Sequence, residues 1–84
     1  MPKALGMNYA DLFTRSLRLF PEELRQKHSI DIQLFIEEAF GLSRTQFWVD
    51  KNQPITDKNA LQRFYRMRRR RLDKEPVAYI LRKR

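Results

Sequence analysis

The sequence predicts an all-α domain, a small bundle of about five helices joined by short loops, and three observations carry that prediction. Apolar residues recur at helical spacing in one segment after another instead of alternating. Capping residues stand where several of those segments begin, and a glycine stands where one of them ends. Two glycines and four prolines in 84 residues are too few for the turns of an all-β design. A chain of this length supports one domain and one modest core, and 42% apolar residues suffice to fill it.

The first helix is read over 8–20, "NYADLFTRSLRLF", with Asn8 as its cap and Asp11 placed favourably in the first turn. Leu12, Phe13, Ser16, Leu17, Leu19 and Phe20 fall on one side of it. Pro21 disfavours helical backbone at Phe20 and bends the chain, so "PEELRQKHS" is a loop or a single short helical turn. "IDIQLFIEEAF" (30–40) is apolar over most of its circumference, the pattern of a helix packed between others, and Gly41 supplies a left-handed end. Ser43 and Gln46 form the capping box of a further helix, "SRTQFWVD", whose Phe47 and Trp48 are expected to anchor it to the core.

After the polar loop "DKNQP", Thr56 is expected to cap the longest helix, running from about 57 to 74. Ala60, Leu61, Phe64, Met67 and Leu72 make its apolar face, with Tyr65 at the margin. The run "RMRRRR" divides between two faces: Arg68 and Arg71 fall on the core side, and Arg63, Arg66, Arg69 and Arg70 lie opposite. Pro76 stops the helix, and "VAYIL" is either a last helical turn or the start of a strand.

Charge is unevenly placed. Residues 1–60 hold eight basic and eight acidic groups, whereas 61–84 hold ten and two, so the last helix and its tail supply the whole net charge of +8. Any partner drawn by charge meets the protein there.

Several function classes are excluded by inventory. No cysteine means no disulfide scaffold and no thiolate metal site, and it points to a cytoplasmic protein. No stretch has a signal peptide's apolar core or membrane-spanning length. The one histidine, His28, is placed on the surface in a polar loop, without a ligand or triad partner nearby. Neighbouring carboxylates such as Glu22/Glu23 and Glu37/Glu38 diverge on a helix, and two glycines cannot build a phosphate loop. The chain alone is therefore not expected to catalyse a reaction or to hold a metal or cofactor.

The arginines admit three readings. Arg63, Arg66, Arg69 and Arg70 could neutralise nucleic-acid phosphates, pair with carboxylates of an acidic protein, or form a merely solvated helix face. Arg71 on the core side needs a partner, and Asp31 or Glu38 of the central helix can supply it.

The order of pieces resembles the N-terminal domain of the HemK-type release-factor glutamine methyltransferases over roughly residues 9–82. That family shows Asp-Ala-Glu-Leu-Leu-Leu, then Leu-Gly-Leu-Ser-Arg-Thr-Gln, then Arg-Arg-x-x-Gly-Glu-Pro-Val-Ala-Tyr-Ile-Leu-Gly. The matching residues are Asp31 and Leu34, then Gly41 to Gln46, then Arg70, Arg71 and Glu75 to Leu81. Ile32 and Gln33 depart from it, as do Lys74 and Arg82 where the family has glycines. The resemblance implies that residues 1–75 form a substrate-recognition domain and that 76–84 begin a linker to a catalytic domain that this chain lacks. It also implies that the parent transfers methyl from S-adenosylmethionine to the Gly-Gly-Gln glutamine of class 1 peptide-chain release factors. Neither the glycine-rich donor motif nor the catalytic Asn-Pro-Pro-Tyr occurs in this sequence. The implied partners are then a release factor and the parent's own catalytic domain, with RNA as the alternative.

Overall fold

The computed structural model describes residues 4–82. Its helices are α1 (Tyr9–Leu17), α2 (Arg25–Phe40), α3 (Arg44–Asp50), α4 (Lys58–Leu72) and α5 (Val77–Ile80), with a single 3-10 turn over Glu22–Leu24. No strand forms among the described residues, although Leu5 N–H and Ile55 N–H bond to Ile55 and Met7 carbonyls, at 3.0 and 2.9 Å, tying the N-terminal arm to the loop before α4. The "VAYIL" segment is thus a helical turn.

α2 is the central element, packed against α1 on one side and α4 on the other. Its buried side chains Ile32, Phe35, Ile36 and Ala39 meet Leu12 of α1 and Leu61 and Phe64 of α4 in one core, joined by Phe47, Ile55 and Ile80. α1 starts as expected: Asn8 Oδ1 accepts from Asp11 N–H at 2.7 Å, and Asp11 Oδ2 accepts from Asn8 N–H at 3.2 Å.

Four readings of the sequence need correction. α2 begins at Arg25, five residues before the apolar run, so His28 lies in a helix and is buried. Helix α1 ends at Leu17, and Leu19 is consequently 50% exposed and not part of the core face. Trp48 is 54% exposed, with Lys51 Nζ 5.1 Å from its ring, while Phe47 alone anchors α3. Seven residues give α3 barely two turns, and two adjacent aromatics on it cannot both face inward. Finally, Asp57, not Thr56, caps α4, its Oδ1 accepting from Ala60 N–H at 3.0 Å.

The helix ends explain two further residues. Gly41 takes left-handed backbone (φ 69°), and Leu42 N–H then bonds back to Glu37 O at 3.0 Å. Lys74 does the same after α4 without being glycine (φ 70°): its N–H reaches Arg71 O at 2.9 Å and Glu75 N–H reaches Arg70 O at 3.0 Å. A side chain in that conformation costs about 1–2 kcal/mol, part of which glycine returns as lost chain entropy. Lys74→Gly should therefore stabilise the domain by about 0.5–1 kcal/mol, read as a higher urea midpoint at unchanged slope.

Candidate partner-binding surface

The four arginines read as one outer face do not stay together. Arg63, Arg66 and Arg70 lie one helical turn apart and, with Met67, line a groove of about 250 Å³ closed on its far side by Ile80 of α5. α5 can supply that wall because Pro76 ends the preceding turn and opens α5, and because Ile80 is itself buried. Arg69 points elsewhere: its Nε is 3.6 Å from Asp73 in a pair whose side chains are 79% and 67% exposed. Such a pair contributes little.

Within the groove the three guanidinium groups are in different electrostatic states. Arg63 Nη2 donates to Ala39 O at 2.9 Å, placing a cation at the C-terminal end of α2, where the helix dipole favours it. Arg70 makes a two-pronged pair with Glu75, Nε to Oε2 at 2.8 Å and Nη2 to Oε1 at 2.5 Å. That hydrogen bonding holds the Glu75 carboxyl below its usual pKa and raises that of Arg70. The same pair links the last turn of α4 to the segment that leads to Pro76. Arg66 is exposed and has no carboxylate within ion-pair distance among the described residues. The groove thus offers two cations without a carboxylate partner among the described residues, Arg63 held by a carbonyl and Arg66 held by none, beside the paired Arg70.

On the core side, Arg71 Nε donates to Asp31 Oδ2 at 3.1 Å and its Nη1 donates to Glu75 O at 3.2 Å. Asp31 is thereby the partner taken from the two that the sequence offered. The same carboxylate oxygen lies 3.0 Å from His28 Nδ1, and the His28 ring stacks on Phe20 at 4.3 Å. The helical i, i+3 spacing of His28 and Asp31 was the available signal for this contact, once α2 is known to start at Arg25. Arg68 reaches the fully buried Ser16, donating to its Oγ at 3.1 Å, and lies over the Tyr65 ring at 4.7 Å. Burial lowers the Arg68 pKa.

Ser43 caps α3, its Oγ accepting from Gln46 N–H at 3.0 Å, and with Gly41 and Pro76 it sets helix ends instead of touching the groove. Among the described residues no group of three histidine or acidic side chains is arranged to hold a metal ion. No helix there is long and apolar enough to cross a membrane.

No curated protein and no solved structure matches this chain. The PrmC N-terminal domain family does match, over residues 23–81. That span takes in α2, the α3 and α4 caps, the arginine groove and the Pro76 exit, the same pieces whose geometry is described above. The chain therefore belongs to the PrmC N-terminal domain family, the N-terminal domain of the PrmC/HemK methyltransferases.

Proposed function

We propose that this domain holds the protein substrate of a PrmC-type methyltransferase, a class 1 peptide-chain release factor, through the groove of Arg63, Arg66 and Arg70. The observation that carries this reading is the uncompensated Arg66 set between two immobilised arginines on a surface of a PrmC N-terminal domain. Guanidinium groups already fixed by Ala39 O and Glu75 lose little further freedom when a partner binds. A carboxylate-bearing partner gains a planar, bidentate donor at Arg66 and an apolar floor at Met67 and Ile80.

Methyl transfer belongs elsewhere in such an enzyme. S-adenosylmethionine carries a cationic sulfonium, and grooves rimmed by Arg63, Arg66 and Arg70 or by Lys27 and Lys74 do not fit it. The domain's contribution is positional: gripping the release factor at a second surface raises the effective concentration of the glutamine loop at a separate catalytic domain.

Binding of a class 1 release factor to Arg66→Glu should be about tenfold weaker than to the unaltered chain, mostly through a faster dissociation rate. Arg69→Glu, which does not line the groove and pairs instead with Asp73, should leave it unchanged. Equal losses in both variants would reduce the effect to net charge and remove the groove from the account.

A further inference from the structure

A second groove lies beside the other flank of α4. It is a cavity of about 460 Å³ between the loop after α1, the first turn of α2 and the last turn of α4. Leu19, Phe20, Leu24 and Leu72 form its walls, and Lys27 and Lys74 stand at its rim. Leu19 and Leu24 are 50% and 40% exposed, so the walls carry apolar surface that the fold itself does not cover.

Among the described residues no carboxylate lines this cavity. Arg71, which also reaches it, is already neutralised by Asp31 at 3.1 Å, and His28 shares that same oxygen at 3.0 Å. Those two side chains are fixed parts of the wall. Lys27 and Lys74 have no carboxylate within ion-pair distance among the described residues. The backbone hydrogen bonds around Lys74 fix where its side chain leaves the chain.

Leucine walls with two uncompensated ammonium groups above them match a ligand that is apolar along one face and carries carboxylates along its edge. We propose that this groove binds an acidic, leucine-rich peptide segment, its apolar side chains seated between Leu19, Leu24 and Leu72 and its carboxylates on Lys27 and Lys74. A peptide fits better than a nucleic acid. The two rings in the wall, Phe20 and His28, are 5% and 7% exposed and stacked on each other, so neither offers a free face to a base. This site does not depend on the role of the arginine groove.

The test is a titration of the uniformly ¹⁵N-labelled chain with a short capped peptide of alternating glutamate and leucine, beside the same peptide with glutamine for glutamate. Saturable shifts should centre on Leu19, Leu24, Lys27 and Leu72, and the glutamine peptide should bind at least about tenfold more weakly. The double variant Lys27→Glu, Lys74→Asn should lose a similar factor for the acidic peptide; asparagine tolerates the left-handed backbone at 74. The glutamine comparison uses the unaltered chain, so the result stands whatever the variant does to folding. The proposal is overturned by no saturable binding, by shifts centred on Arg63, Arg66 and Arg70, by equal affinity for both peptides, or by a short RNA duplex displacing the acidic peptide.

Discussion

Phe64→Ala should cost about 3–5 kcal/mol, a loss matched among single truncations in this domain only by the equally buried Phe35. Phe64 is fully buried at the middle of α4, in the same core as Leu12, Ile32, Phe35 and Ile36. Removing its ring opens a cavity that a two-sided helix packing cannot collapse without shifting α4 against α2. Domains of this size have only about 5–15 kcal/mol of net stability, so the variant should sit close to its unfolding transition at room temperature. Urea unfolding followed by circular dichroism gives the number. A loss below about 1 kcal/mol would mean that α4 does not pack as described.

The second large effect is expected at Asp31. Its carboxylate serves Arg71 and His28 at once, and the side chains of Arg71 and Asp31 are only 17% and 15% exposed. Asp31→Ala leaves Arg71 without its counter-charge in a largely desolvated place, which should cost about 3 kcal/mol, the lower end for a buried pair that retains some solvent. Arg71→Ala should cost less, because Asp31 keeps His28 as a hydrogen-bond partner. If the two residues act as a pair, the double variant should be more stable than the sum of the single losses implies, with a coupling of about 1–3 kcal/mol. Additive losses would break the pairing. The consequence reaches the binding surface, since Arg71 also holds Glu75 O and Glu75 in turn fixes Arg70.

The fold was legible because its signals are local and repeated. Asn8, Ser43 and Gly41 each mark a helix end by a backbone hydrogen-bonding rule, and each sits at one in the structure. Arg71 could be placed on the core side by counting turns, and its need for a carboxylate pointed across to α2. The failures came where tertiary contacts decide. Nothing in "PEELRQKHS" is apolar enough to predict that α2 starts at Arg25, so the sequence puts His28 on the surface; only its contacts with Phe20 and Asp31 bury it. The sequence places Trp48 beside Phe47 as a core anchor, but α3 has one inward face and Phe47 occupies it.

The candidate site was legible in composition and less so in arrangement. Helical angles alone grouped Arg69 with Arg63, Arg66 and Arg70, whereas α5, a four-residue turn, selects three of them by walling one side only. Long arginine side chains also bend toward acceptors that no helical wheel contains: Arg63 to a carbonyl of α2, and Arg70 to a carboxylate beyond the end of its own helix.

On the proposed reading, the arginine groove of this domain receives a release factor. The most direct measurement is a heteronuclear NMR titration of the labelled chain with a class 1 release factor, and separately with a short RNA duplex, each at two salt concentrations. Saturable shifts are expected along Arg63, Arg66, Met67, Arg70 and Ile80 with the release factor, retained at the higher salt, with only weak shifts from RNA that the higher salt removes. Tight RNA binding at those residues, with none by the release factor, would contradict this reading.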